Sequence, residues 1–105
     1  MTAEPTTIGT VTVGDFAAQI GEPFEVLDED ETAVLATFVL IEAASRARQI
    51  EEGRQPFSLI FDGPAQPELE QGICLLRNSN LGTLGIFVVP ISGNDERRRY
   101  QAVFS

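Results

Sequence analysis

Apolar and polar residues alternate with a period of two over most of the chain, which is the pattern of half-buried β-strands. Gly, Pro, Asn and Asp clusters separate these stretches and predict turns between them. The predicted strands are 24–27, 33–43, 57–62, 73–77, 84–91 and 99–104, and residues 10–13 are a candidate for one more. The pattern therefore predicts a mainly β, single-domain antiparallel β-sandwich or small β-barrel of six to seven strands.

One short segment breaks this alternation and favours a helical turn near the N-terminus. Residues 14–21 place Phe16 and Ile20 on one face, at spacing i, i+4. Asp15 is the predicted N-cap, and Gly21 is the predicted stop.

Three strands carry more specific expectations. The strand 33–43 is apolar on both sides, which predicts a central position or cover on both faces. In strand 57–62, Phe57, Leu59 and Phe61 point toward the core, and Gly63-Pro64 is expected to end the strand. Pro90 has no N–H group to donate, so it predicts a sheet edge or a bulge.

Outside these strands, residues 1–9 are expected to form a flexible arm, and 10–105 to form one β domain. Residues 45–53 are compatible with a helix, through i, i+4 charge pairs, or with a solvated loop. The chain shows neither a signal-peptide pattern nor an apolar run of membrane-spanning length. These features predict a product that is cytoplasmic as synthesised, with no membrane partner.

The composition removes most catalytic chemistry. The 105 residues contain no histidine, lysine or tryptophan, and they contain one cysteine. Imidazole-assisted nucleophiles, Schiff bases, internal disulfides and cysteine-based zinc sites are therefore excluded. We expect no catalytic residue, no cofactor and no metal ligand.

Charge is distributed unevenly between the two parts of the chain. Seven arginines stand against 16 acids, for a net charge of −9, and residues 1–42 contain nine of the acids and no base. This acidity argues against nucleic acid and anionic membranes as partners. The candidate protein-interaction residues are an acidic run and a basic cluster: Asp28, Glu29, Asp30, Glu31, and Arg97, Arg98, Arg99.

Each candidate also has a simpler interpretation. The acidic run is compatible with calcium binding, but it lacks the ligand spacing of an EF-hand and reads as a solvated hairpin tip. The arginines either balance Asp95 and Glu96 in a turn or anchor an acidic partner, such as another copy joined head to tail. 

Two further groups have chemical interpretations that we rank lower. Glu68 and Glu70 flank Leu69, and Asp62 precedes the same loop, so these acids are a candidate carboxylate pair, but surface acids are the simpler interpretation. Cys74 lies within an apolar strand and is expected to behave as a small hydrophobic residue.

Several short motifs resemble a family of small, uncharacterised bacterial domains, some of which are encoded near phage tail-collar-like (microcystin-dependent-type) proteins. The resemblance covers residues 14–105 and is carried by Asp15-Phe16, Gly21, Phe24, Pro56 to Pro64, Gln71-Gly72, Leu81-Gly82, Phe87 to Pro90 and Tyr100 to Phe104. The chain departs from the family pattern at Cys74 and in the segment 45–53. The motif residues are glycine, proline and core aromatics, so the resemblance implies a shared fold and transfers no catalytic residue.

These observations favour a non-enzymatic structural or interaction module that assembles with a protein partner or with itself. Its expected setting is a phage-tail-like or surface-appendage assembly. The alternative is a small-molecule-binding β-barrel or sandwich, which requires an interior that the phenylalanines leave partly empty.

Overall fold

Six antiparallel strands close into a barrel in the order β1-β2-β3-β6-β5-β4. The structure is a computed structural model, and it describes residues 12–45, 57–66 and 69–104. The elements are α1 (Val13–Ala17), β1 (Pro23–Leu27), β2 (Val34–Ser45), β3 (Phe57–Pro64), β4 (Gly72–Asn78), β5 (Gly82–Gly93) and β6 (Arg97–Phe104). The predicted mainly β fold is confirmed, and the barrel is the correct alternative. The undecided segment 45–53 begins with Ser45, which is the last residue of β2; its residues 46–53 and the expected arm at 1–9 lie outside the described residues.

The predicted helical turn is present, but its cap differs from the prediction. Thr12 is the N-cap, because its side chain accepts a hydrogen bond from the Asp15 backbone N–H. Asp15 lies three positions later and completes a capping box by accepting from the Thr12 backbone N–H. Val13 therefore begins the helix, so the candidate strand 10–13 is wrong at Thr12 and Val13, and residues 10 and 11 lie outside the described residues. Phe16 is fully buried, whereas Ile20 is 47% exposed.

Alternate residues of each strand fill the barrel interior with aromatic and aliphatic side chains. Phe38 stacks on Tyr100 with 4.6 Å between ring centroids, and it also packs against Phe61. Phe16 of α1 covers one end of the barrel by packing on Phe24, Phe57 and Phe104. The buried cluster comprises Phe16, Phe24, Val26, Ala36, Phe38, Leu40, Phe57, Leu59, Phe61, Leu76, Leu84, Ile86, Val88, Tyr100 and Ala102.

Of the two alternatives predicted for β2, the central position is confirmed, because β1 and β3 pair with it on either side, and cover on both faces is wrong. Ala36, Phe38 and Leu40 face the interior, but Leu35 is 46% exposed on the outside and Ile41 is also exposed. Pairing with β3 shifts register between Leu40 and Glu42. In a closed barrel each strand has neighbours on both edges, so two-sided pairing does not require a second covering layer.

The predictions made for the two proline-containing segments, Gly63-Pro64 and Pro90, have different outcomes. Gly63 and Pro64 do not end β3, because they continue the pairing with Arg98 and Arg97 of β6. The chain bends only after Pro64. At Pro90 the predicted irregularity is confirmed, since the β5–β6 register shifts between Pro90 and Ser92.

The antiparallel order places the connections at two distinct ends of the barrel. We call one the helix end; it carries α1 and the β4–β5 turn at 79–81. We call the other the loop end; it carries the β1–β2 tip at 28–33, residues 65–66 and 69–71, and the β5–β6 tip at 94–96. Among the described segments, no helix has the length and apolar character required to cross a membrane.

Candidate interaction surfaces

The acidic run Asp28–Glu31 forms the tip of the β1–β2 hairpin. The Asp28 carboxylate accepts hydrogen bonds from the backbone N–H groups of Thr32 and Ala33 at 2.7 and 3.2 Å, and from the Thr32 hydroxyl at 2.9 Å. The backbone bond from Thr32, followed by its side-chain bond, lowers the pKa of Asp28 below its ordinary value. Glu31 adopts a φ of 58°, which completes the tight turn. Asp28 therefore stabilises the hairpin, and the run has the solvated-tip geometry.

An apolar groove of about 350 Å³ opens beside this tip. Its apolar lining consists of Val26, Leu27, Leu35, Leu69, Ile73, Cys74 and Leu75, and its acidic rim consists of Asp28, Glu29 and Glu70. Among the described residues that line the groove there is no arginine, and every charged one is acidic. We call this feature the acidic-rimmed groove.

The most exposed large apolar side chain of the described residues lies in this groove. Ile73 is 75% exposed, and it pairs across the β4–β5 ladder with Phe87, which is 50% exposed. The two side chains project outward because the interior positions of these strands belong to Leu76, Leu84, Ile86 and Val88. Neighbouring exposed apolar residues on a barrel wall are typical of an interaction surface.

The arginine cluster starts strand β6 and is divided by its alternation. Arg97 and Arg99 are exposed on the outer face, whereas Arg98 is half-buried. Arg97 donates from Nε and Nη2 to Asp62 Oδ2 at 3.0 and 2.8 Å. The proposed balance of Arg97 by Asp95 or Glu96 is thus replaced by an ion pair with β3.

A second, polar groove of about 400 Å³ contains both outward-facing arginines. We call it the arginine groove, and its lining consists of Asp62, Ser92, Gly93, Asn94, Arg97 and Arg99. Asn94 holds its floor, because Asn94 Oδ1 accepts from the N–H groups of Glu96 and Arg97 at 2.8 Å each. The Asn94 N–H in turn donates to the Arg97 carbonyl at 2.7 Å.

The acidic tip and the arginines belong to the same end of the barrel. Both lie at the loop end, but β1 and β6 are three places apart in the six-strand circle, so they occupy opposite sides. A head-to-tail stack that joins the loop end to the helix end would therefore not bring these two charged regions into contact.

Of the other chemical candidates, Asp62 and Glu70 line different grooves, whereas Cys74 lines the same groove as Glu70. Asp62 is ion-paired in the arginine groove, Glu70 is on the rim of the other groove, and Glu68 lies outside the described residues. Burial raises the pKa of the Cys74 thiol, and Cys74 packs against the core as a small hydrophobic residue. Within the described segments, no cluster of His, Cys, Asp and Glu side chains could hold a metal ion.

Sequence reasoning missed Ile73, Phe87 and Asn94 as surface residues of interest. The alternation of β4 separates Ile73 from Cys74, but it does not say which set faces inward, because both sets are apolar. Asn94 lies within a turn signal, Ser-Gly-Asn-Asp, yet its capping of Arg97 depends on how β6 begins.

Comparison with known proteins identifies one related family. A family model described as "Domain of unknown function (DUF6916)" matches residues 11–104. Searches of curated proteins and of solved structures return no match.

Proposed function

The chain belongs to the DUF6916 family of domains of unknown function, and from that premise we propose that it is a non-enzymatic interaction module that assembles with a protein partner. The observation that carries the proposal is the acidic-rimmed groove with Ile73 and Phe87 exposed side by side. A partner segment with apolar side chains would bury this surface, and apolar burial is the main favourable term in association.

The charge of the groove specifies the chemistry of that segment. Asp28, Glu29 and Glu70 surround an apolar floor, and residues 1–42 contain no base. A segment whose apolar side chains are flanked by lysine or arginine complements both features. Another copy of this chain is a poorer match, since each copy carries a net charge of −9.

A ligand bound inside the barrel, the alternative function, has less support. The interior positions are filled by side chains such as Phe38, Phe61 and Tyr100, which are fully buried and packed ring against ring. Both grooves described above open on the outside of the barrel.

The assembly setting that we propose is a phage-tail-like or surface appendage. The resemblance to domains encoded near phage tail-collar-like proteins motivates this setting. A product made in the cytoplasm and then incorporated into such an assembly fits the same proposal.

The test measures binding of two peptides with the same apolar residues, one flanked by lysines and one by glutamates. Amide chemical shifts should map the lysine-flanked peptide to β4 and the β1–β2 tip. Ile73→Ser should weaken binding about tenfold or more, because burying an isoleucine contributes roughly 1.5–3 kcal/mol. Val103→Ser is the matched control, since Val103 is 48% exposed near the other end of the barrel.

Equal binding of the glutamate-flanked peptide, or equal losses in both variants, would contradict the proposal. Light scattering separates a different occupant: a dimer of the unmodified chain that Ile73→Ser dissociates would assign the groove to a second copy.

A further inference from the structure

We infer that the arginine groove is a second binding site, which takes the carboxylates of an extended acidic segment of a protein partner. This inference does not rest on the acidic-rimmed groove, because none of the described residues lines both grooves. The ligand proposed for the arginine groove is acidic, whereas the one proposed for the acidic-rimmed groove is basic.

Arg99 is the side chain available to a ligand. It is exposed on the outer face of β6, opposite Asp62 of β3 and Ser92 of β5 in the register. In the described part of the chain, the Arg99 side chain makes no hydrogen bond or ion pair, and the Asp62 carboxylate is instead paired with Arg97. The full guanidinium fork of Arg99 can therefore hydrogen-bond both oxygens of a carboxylate.

Arg97 is a positioned second donor. Its ion pair with Asp62 uses Nε and Nη2, which leaves the Nη1 group for a ligand. Its backbone is held on both sides by Asn94. A guanidinium that is already oriented loses less conformational entropy when it binds.

The β5–β6 hairpin that forms the floor of the groove is tightly closed at Gly93. A Cβ atom at Gly93 would lie 2.9 Å from the Arg97 carbonyl oxygen and 3.1 Å from the Arg98 Cα. Only glycine allows this approach without a backbone shift. The hairpin is further tied to the β3–β4 connection by the Ala65 N–H, which donates to the Glu96 carbonyl at 3.0 Å.

The spacing of the two arginines indicates the form of the ligand. Residues two apart along a strand are separated by about 6.6 Å and project from the same face. An extended partner with acids at alternate positions presents carboxylates at the same spacing. Asp62, Asp95 and Glu96 lie near the groove and oppose anions, so we expect binding that depends on the paired guanidinium geometry and weakens with salt.

The experiment titrates the whole chain with a blocked Glu-Ser-Glu-Ser-Glu peptide and follows amide chemical shifts. A Gln-Ser-Gln-Ser-Gln peptide and inorganic phosphate are the comparison ligands. We expect saturable shifts in residues 92–99 and at Asp62 with the glutamate peptide, and none with the glutamine peptide. Arg99→Gln should weaken binding about tenfold or more, because a charge-assisted hydrogen-bonded contact is lost.

Arg77→Gln is the matched control, because Arg77 is an outward arginine near the helix end that is already paired with Glu25. If Arg99→Gln and Arg77→Gln weakened peptide binding equally, the change in overall charge would explain the effect, and the inference would be overturned. Saturable phosphate binding without peptide binding would also overturn it, in favour of a phosphate site. Ile73→Ser should leave this titration unchanged, so the result is separable from that of the acidic-rimmed groove.

Discussion

At Gly63 the barrel interior depends on the absence of a side chain. A Cβ atom there would lie 2.7 Å from two ring atoms of Phe38 and 3.6 Å from the ring of Tyr100. Phe38 cannot move away freely, since it is fully buried between Phe61 and Tyr100. The glycine thus allows two strands and a stacked ring pair to share one layer of the core.

Gly63→Ala should therefore destabilise the fold by about 1–3 kcal/mol, the usual cost of forcing extra volume into a packed core. Chemical denaturation monitored by circular dichroism measures the change. Gly85→Ala is the control: its Cβ would meet Ile73 and Leu75 at 3.7 and 4.0 Å, ordinary contact distances on the outer wall. Equal stability of the two variants would show that Phe38 can give way.

Tyr100 contributes a second interaction at the same position in the core. Its ring stacks on Phe38, and its hydroxyl accepts a hydrogen bond from the Leu69 backbone N–H at 3.0 Å. Leu69 lines the acidic-rimmed groove. A buried aromatic side chain thus positions one wall of a surface that we propose for partner binding.

At the scale of elements, the five-residue helix α1 is stabilised by its packing on the end of the barrel. A helix of this length is not stable alone. Its capping box satisfies the first turn, and Phe16 packs on Phe24, Phe57 and Phe104. Gly21 then ties the following segment to β2 through its N–H, which donates to the Leu40 carbonyl at 2.8 Å.

Phe16→Ala should lower the free energy of unfolding by about 3–5 kcal/mol, because it leaves a cavity at the helix end of the barrel. Thermal and urea unfolding measure the loss. Ile20→Ala is the control. The sequence predicts that Ile20 shares the apolar face with Phe16, but its side chain is 47% exposed, so its loss should lower the free energy of unfolding much less. If both variants lost a similar free energy of unfolding, the specific packing of Phe16 would not explain how α1 stabilises the barrel.

Most strands could be predicted from sequence because alternation is a local property. The inward set Phe57, Leu59 and Phe61 is correct, since polar Ser58 and Asp62 mark the outside. The same logic fails in β2 and β4, where both sets are apolar and only tertiary pairing decides which set is covered. The choice between sandwich and barrel depends on β1–β4 pairing, which joins residues about fifty positions apart.

The two grooves were less predictable than the strands. The arginines are conspicuous in the sequence, but their division into outward Arg97 and Arg99 and half-buried Arg98 follows from β6 beginning at Arg97. The acidic-rimmed groove joins residues of β1, β2, β4 and the segment before β4. A local sequence pattern cannot predict this groove, because its lining residues are distant from one another in the sequence.

At the scale of the whole molecule, the ladders that close the barrel differ in length. The β3–β6 ladder pairs eight residues of each strand, whereas the β1–β4 ladder pairs three, Glu25–Leu27 with Leu75–Arg77. The ion pair across this short ladder, Arg77 with Glu25, is exposed and adds little to its stability. The β1–β4 seam is thus the shortest ladder among the described strands, and we expect it to open most easily.

Native-state hydrogen exchange should reveal this difference. Amides that bond across the β1–β4 seam should exchange through local opening faster than those of β3–β6, whose exchange should approach the rate set by global unfolding. NMR-detected exchange resolves the individual amides. Uniform protection around the barrel would show that all six strands open together.

Closure of the barrel also bears on aggregation. Each of the six described strands pairs with a neighbour on both sides over at least part of its length, so none is a free edge along its whole length. Opening of the seam would turn β1 and β4 into edge strands, and both carry apolar residues on their two faces. We therefore expect chains of this protein to begin to associate through their strands under conditions that open the three residue pairs of the β1–β4 seam. Such conditions are milder than those that unfold the whole barrel.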